Sequence, residues 1–431
     1  MRKFKGLLGI LLPALMIVSI LSYGVRKDIL ENRFSNVYFR GEVGTWGYLA
    51  DDVYNCIKAA VPISPEKMQG YINEFVEGRE IVPYSAFEGN EEVKNVILIQ
   101  MEGIDAITLG LKIQEEFVMP NLRELSEKCF YLTNVYDQTG SGRTSDGEFL
   151  ALTSILPVEN ESMYIKYTLE NMVSLPKLLA DKGYKTISIH GYEGSFYNRK
   201  IRHADLGCCE SLFLEDLRPE AEEADYLGWG LSDKYVLDKA LELVKDEPGK
   251  LFAHIILLTN HHPFDAVTGH YEDVIFKTPE SIVENYLNSV HYTDAILGEF
   301  IKQLEESKEL EDSVIVLFSD HDSGITGQLY EYFGLAYDEM NKDCDKVPML
   351  LYDGNVCHKE DMVSGQADIM PLLLSYMGME IPKNSMGLNY VDGQKVVYKQ
   401  GVTIYEETGI MPEMLNLEEL TKSIVNYKGD E

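Results

Sequence analysis

Thr144 stands in a glycine-bracketed loop, Gln138, Thr139, Gly140, Ser141, Gly142, Arg143, Thr144, Ser145, Asp146, that follows an apolar stretch, residues 129–136, read as a strand. A helix is expected to start there. Ser145 and Glu148 have capping-box spacing, and Phe149, Leu150, Leu152 and Ile155 follow at roughly helical intervals. A helix N-terminus offers unpaired N–H groups and the positive end of a dipole, so a hydroxyl in this place faces a natural phosphate site. Taken alone, the loop is equally compatible with a plain turn and an N-cap.

Other chemistry-bearing residues recur after apolar runs. Glu102 follows residues 96–100, His190 ends residues 185–190, His261 follows residues 251–258, and Asp320 with His321 follows residues 313–318. Glu102, Asp320 and His321 make a divalent-metal set with the Thr144 oxygen as a fourth ligand. Mixed oxygen and nitrogen ligation suits Mn²⁺, with Mg²⁺ or Zn²⁺ as alternatives. The metal is what a threonine nucleophile needs, since coordination lowers the hydroxyl pKa and fixes its direction. After His190 come Phe196, Tyr197, Asn198 and Arg199, an aromatic face with a guanidinium that suits a phosphate-bearing headgroup. His261 is placed to protonate a leaving oxygen or to bind substrate. His262 is a weaker candidate, and His254, inside an apolar strand, reads as a satisfied core histidine.

The elements that must position these residues alternate. Further strands are expected near residues 347–352, and helices over 120–129, 174–182, 232–245, 279–306 and 366–377. Such alternation indicates an α/β fold with a mainly parallel sheet covered on both faces and a smaller C-terminal subdomain. In such sheets ligands gather beyond the carboxyl ends of the strands, where all five positions fall.

Before this domain, Arg2, Lys3 and Lys5 precede an apolar run at residues 6–21. Residues 1–24 read as a signal-anchor transmembrane helix, or alternatively a cleaved signal peptide, with the remainder exported. Residues 25–92 read as a juxtamembrane helical linker and residues 93–431 as the catalytic domain. The 431-residue chain has a net charge of -33, which disfavours nucleic acid as a partner and suits a solvated exported surface. Its six cysteines include no C-x-x-C pair, so a structural zinc site is not expected.

The segments NVILIQMEG, DQTGSGRTSDGEF, HGYEGSFYNR, LLTNHHPF, FSDHDSG and GQADIMPLLLSYMG resemble, in order and spacing, the extracellular catalytic domain of the lipoteichoic acid synthase family. The likeness runs from about Asn95 to Gly387. It implies a sulfatase-like fold of the alkaline phosphatase superfamily, with Thr144 as nucleophile and metal ligand and Glu102, Asp320 and His321 completing a Mn²⁺ site. His190, Tyr197, Arg199 and His261 fall on the family's positions for binding glycerol phosphate. By the same resemblance the donor is membrane phosphatidylglycerol, cleaved through a glycerophospho-threonine intermediate, and the acceptor is a glycerophosphate chain or a glycan.

The departures are specific. Glu102-Gly103 stands where Glu-Ser is common, Tyr197 replaces a usual tryptophan, Asp322 replaces a frequent aromatic, and the several membrane spans of the synthases are reduced here to one at most. The expectation is therefore a single-pass phosphoglycerol transferase at the cell membrane, with the catalytic domain outside. Two rival readings are a cell-surface hydrolase of the same superfamily, phosphodiesterase or sulfatase, and a non-catalytic teichoic-acid-binding protein. The sulfatase version lacks the Cys/Ser-x-Pro-x-Arg context from which formylglycine is made.

Overall fold

A computed structural model describes residues 44–45, 65–77, 79–159, 161–337, 346–399, 402–407, 409–412 and 416–426. The proposed signal-anchor, residues 1–24, lies outside these. No helix among the described residues is long and apolar enough to cross a membrane.

Eight strands form the central sheet: β1 (Asn95–Met101), β2 (Phe130–Leu132), β3 (Tyr184–His190), β4 (Glu210–Leu212), β5 (Lys250–Ile256), β6 (Ser313–Ser319), β7 (Met349–Tyr352) and β8 (His358–Glu360). Their spatial order is β8-β2-β7-β6-β1-β5-β3-β4, and only β7 runs antiparallel to its neighbours. The mainly parallel sheet is as expected. Its inner strands are apolar on both faces because both are covered. Ile97, Ile99, Ile189, Ile255 and Leu317 enter one core, while Val96, Leu98, Phe252, Val316 and Phe318 enter the other.

Register explains why the site residues meet. Ile256 stands level with His190 on one side and with Gln100 on the other, and Gln100 stands level with Phe318. Glu102 and Asp320 each lie two residues beyond that line, so four strands deliver their polar ends to one edge.

The helices used below are α1 (Pro65–Glu77), α2 (Thr144–Thr153), α3 (Arg199–Asp205), α4 (Asp233–Asp246), α5 (Ile282–Ser307), α6 (Ile369–Tyr376) and α7 (Leu417–Asn426). Serine caps start α4 and α5: Ser232 Oγ accepts the Tyr235 N–H at 3.2 Å, and Ser281 Oγ accepts the Glu284 N–H at 3.2 Å. The expected strand over residues 129–136 is broken. β2 pairs within the main sheet, whereas Val135–Tyr136 leaves it to pair with Ser364–Gly365, and this detour aims the Thr144 loop back over the sheet edge.

The described part of the stretch read as a helical linker holds helix α1 and the short strand Glu80–Ile81. Helix α1 packs on α7, and Phe75 is buried against Tyr398 with ring centroids 5.7 Å apart. Glu80–Ile81 is the first strand of a five-stranded antiparallel sheet whose others are Asn389–Val391, Gln394–Lys399, Val402–Tyr405 and Gly409–Pro412. The C-terminal subdomain is thus completed by residues from the N-terminal side, because an outer strand needs a partner and Phe75 needs cover.

Candidate active site

Helix α2 begins at Thr144 itself, and Arg143 before it takes a positive φ of 41°. Two glycines permit the close packing here. A Cβ on Gly142 would lie 2.2 Å from Asp146 Oδ1, and one on Gly147 would lie 2.8 Å from the Asp320 carbonyl oxygen, so α2 rests directly on the Asp320 backbone. The expected capping box is absent. Ser145 Oγ donates to the Gly142 carbonyl at 2.9 Å, and the Glu148 carboxylate turns away toward two buried cationic or polar partners, Arg199 and His203.

Glu102, Thr144, Asp320 and His321 converge as the sequence predicts. The donor atoms of Glu102, Asp320 and His321 lie within 4.8 Å of one another, and all three residues are buried. Thr144 Oγ1 donates to Glu102 Oε2 at 3.3 Å, and His321 Nε2 lies 3.3 Å from Glu102 Oε1 and 3.5 Å from Asp320 Oδ2. Asp320 Oδ1 accepts the N–H groups of Gly103 and His321, both at 2.8 Å. Asp320 Oδ2 is buried with no hydrogen-bond partner among the described residues. Burial and the Glu102 charge push the Asp320 pKa up to about 7. Burial also acts to raise Glu102, but the His321 hydrogen bond and charge outweigh it and hold that carboxyl at about 2.

This is the signature of a cation site: two enclosed carboxylates repel each other, and one oxygen is orphaned. His321 fits the same role. Its Nδ1 sits 2.6 Å from the Asp322 carbonyl and 3.0 Å from Arg143 Nη2, while its Nε2 faces the carboxylates. The donor set, three oxygens and one imidazole, fits a divalent metal.

Three supports were not legible as site residues. Asn260 Nδ2 donates to the Glu102 carbonyl at 2.8 Å. Gln366 Nε2 donates to the Ser319 carbonyl at 3.2 Å and also to that of Asp320, while its Oε1 accepts the Gln138 N–H at 2.7 Å. Gln100 Nε2 reaches the Thr144 carbonyl at 3.3 Å. Asp322, the departure noted in the sequence, pairs with Arg143: Nη1 to Oδ2 is 3.0 Å. The added negative charge is therefore matched by the residue preceding Thr144.

The four expected substrate residues line one pocket of about 330 Å³ together with Glu102, Thr144 and His321. His190 is buried, and its Nδ1 lies 3.0 Å from the Ile256 carbonyl, so Nδ1 carries the hydrogen. Burial and Arg199 lower its pKa to about 3, which makes the unpartnered Nε2 a hydrogen-bond acceptor. Arg199 is no surface charge. Its Nε donates to Glu148 Oε1 at 2.8 Å, and its guanidinium lies 5.3 Å from the Tyr197 ring centre. His261 Nδ1 is 2.9 Å from the His262 carbonyl, which leaves its Nε2 for substrate. His262 lies at the pocket rim. His254 is only half satisfied: Nε2 meets Gln100 Oε1 at 3.3 Å, and Nδ1 has no partner among the described residues.

Trp229 is an unforeseen wall. A two-residue turn between Tyr226–Leu227 and Gly230–Leu231 holds it over His261, with ring centroids 4.1 Å apart and 48% of Trp229 exposed. An indole missing from position 197 thus enters the pocket from another element. Only the turn residue Gly228, with a positive φ of 67°, could have hinted at it.

The sulfatase family model matches residues 94–379, two thirds of the chain, and the protein belongs to that family. The family and the fold place it in the wider class, the alkaline phosphatase superfamily. Within that class its sequence relatives are lipoteichoic acid synthases. Lipoteichoic acid synthase 2 of Bacillus subtilis is 26% identical over 82% of this chain and 56% of its own length. Lipoteichoic acid synthase of Staphylococcus saprophyticus is 28% identical, with the same coverage of 82% and 56%. The chain therefore spans little more than half the length of these relatives. Among solved structures, lipoteichoic acid synthase LtaP of Listeria monocytogenes superposes with a TM-score of 0.61 at 21% identity, over 83% of this chain and 96% of that one. Phosphoglycerol transferase GacH of Streptococcus pyogenes, in complex with sn-glycerol-1-phosphate, gives 0.53 at 18% identity over 75% and 82%. These two establish likeness of fold.

Proposed function

We propose that the protein is an exported, membrane-associated phosphoglycerol transferase that takes glycerol phosphate from phosphatidylglycerol through Thr144. The observation that carries this reading is the meeting of a helix-terminal hydroxyl with Glu102, Asp320 and His321 on one side and with His190 and Arg199 on the other. Its sequence relatives, named as lipoteichoic acid synthases, support it. A bound divalent cation, held by Glu102, Thr144, Asp320 and His321, supplies charge neutralisation and a lowered hydroxyl pKa. Mn²⁺ is the ion proposed.

The chain's own groups account for the rest. Thr144 Oγ1 gives its proton to solvent and attacks the headgroup phosphorus, and the phosphorus–oxygen bond to diacylglycerol breaks. His261 Nε2 carries a solvent-derived proton to the departing diacylglycerol oxygen and takes one from the acceptor hydroxyl in the second step. Arg199 and the α2 N-terminus stabilise charge on the phosphoryl oxygens. Neutral His190 accepts from a glycerol hydroxyl, which selects a headgroup with a free hydroxyl over an apolar one. An acceptor hydroxyl then displaces Thr144 from phosphorus and regenerates the enzyme.

The test is to incubate the full-length protein with Mn²⁺ and a fluorescent phosphatidylglycerol in mixed micelles. Wild type is expected to release diacylglycerol, and Thr144→Ala to lower the rate by about a thousandfold or more. Equal release by both proteins would refute the nucleophile. No release by either, alongside binding of teichoic acid, would favour the non-catalytic reading.

A further inference from the structure

The Glu148 side chain does not line the pocket, yet both its carboxylate oxygens are used. Oε1 accepts from Arg199 Nε at 2.8 Å, and Oε2 accepts from His203 Nε2 at 2.7 Å. On its far side His203 Nδ1 meets Ser188 Oγ at 2.8 Å, and Ser188 Oγ meets Ser211 Oγ at 2.8 Å. The side chains of Glu148 and His203 are fully buried and that of Arg199 is 3% exposed. Glu148 lies one turn along the helix that Thr144 begins. Arg199 and His203 share one face of α3, four residues apart. Ser188 and Ser211 belong to the neighbouring strands β3 and β4.

We propose that Glu148 is a positioning residue for the donor headgroup, fixing Arg199 relative to Thr144. This rests on the function proposed above. A guanidinium bound through Nε cannot turn about its long axis, and the aromatic rings of Phe196 and Tyr197, 5.9 and 5.3 Å from it, flank the remaining directions. What is left for ligand is the edge with the two terminal nitrogens, the edge that grips two phosphoryl oxygens at once. A buried ion pair serving packing alone would be replaceable by apolar groups of the same volume. Here the pair links the second turn of α2 to the first residue of α3, and each helix bears a substrate-facing group. Displacing such a group by about 1 Å can cost a hundredfold in rate.

Glu148→Gln separates positioning from packing. The amide keeps the size, and its oxygen still accepts from Arg199. Its NH₂ can donate to His203 Nε2 once that ring shifts its hydrogen to Nδ1, toward Ser188. The charge that orients Arg199 is all that is lost. The measurement is calorimetric binding of sn-glycerol 1-phosphate to full-length Thr144→Ala protein with Mn²⁺, with and without Glu148→Gln, beside melting temperatures. The expected result is about tenfold weaker binding at a melting temperature within a few degrees of the parent. In an Arg199→Gln background, Glu148→Gln should cost nothing more, since there is no guanidinium left to orient.

Glu148→Asp, which keeps the charge but cannot span both partners, should also weaken binding about tenfold, and it decides the matter if the amide variant does not fold. Unchanged affinity in a folded variant, or full additivity with Arg199→Gln, overturns the positioning role and leaves the transferase reading standing. Failure of the Thr144→Ala parent to bind, at Mn²⁺ concentrations where it is loaded with the ion, overturns both.

Discussion

Asp320 and Glu102 are two carboxylates sharing one dry site with His321, and their protonation would be linked to any cation bound between them. Without a cation, Asp320 holds a proton up to about pH 7, because burial and the neighbouring Glu102 charge both oppose its ionisation. A divalent ion displaces that proton and also the His321 proton, which, against burial and the Arg143 charge, Asp320 and Glu102 hold up to about 9, so binding should tighten as pH rises toward 9. Adding Mn²⁺ to chelator-treated protein at a hundred times its Kd is expected to stabilise the fold by about 2.7 kcal/mol, seen as a rise of a few degrees in melting temperature. Asp320→Asn should remove most of that rise. A melting temperature indifferent to Mn²⁺ would show that these residues do not hold the ion.

At the scale of elements, the loop after β5 is held by the first residue of α4. Asp233 Oδ1 accepts the N–H groups of Leu258 at 2.6 Å and Thr259 at 3.0 Å, and its own N–H donates to Thr259 Oγ1 at 3.0 Å. That clamp sets the direction of Asn260 and His261. Asp233 Oδ2 is buried without a partner among the described residues, and burial pushes the pKa up to about 7 despite the two backbone bonds. A carboxyl raised in the folded state contributes its full stability below its unfolded pKa near 4 and loses it as pH climbs to about 7. Asp233→Asn keeps both backbone bonds through its carbonyl oxygen and removes this titration. The melting temperature of wild type relative to the variant should therefore fall between pH 5 and 7 and stay level above. A constant difference across that range would mean that Asp233 does not titrate there.

On the scale of the whole molecule, the two ends of the described chain close on each other and on the site. Phe75, 2% exposed, packs against Tyr398, and the Arg79 guanidinium lies 3.6 Å from its ring centre. The strand holding Tyr398 is tied in turn to the loop before Thr144: Gln138 Nε2 donates to the Tyr398 carbonyl, and Lys399 Nζ to that of Asp137. A buried ion pair between Lys395 and Asp368, 3.1 Å, fixes the same strand to the start of α6. Phe75→Ala should cost about 3–5 kcal/mol in a urea titration, because the cavity lies between elements that cannot all collapse into it. A loss below 1 kcal/mol would show that the α1 segment is dispensable, as a linker would be.

Sequence alone determined the parallel strands, the single edge on which Glu102, Thr144, His190, His261, Asp320 and His321 gather, and the family. Buried parallel strands must be apolar runs, and the first polar residues after them have nowhere to go but the sheet edge. Tertiary structure decided the rest. Glu148 reads as a capping residue until Arg199, 51 positions away, claims its carboxylate. Gln366 looks like helix-start polarity until it reaches Gln138 across 228 positions. Trp229 reveals its place only when a hairpin folds over His261, and residues 65–81 reveal theirs only beside the C-terminal sheet. Local spacing carries strands and turns because those are set by near neighbours. Partners of buried polar groups are set by which distant segments share the dry interior, and one linear pattern does not record that.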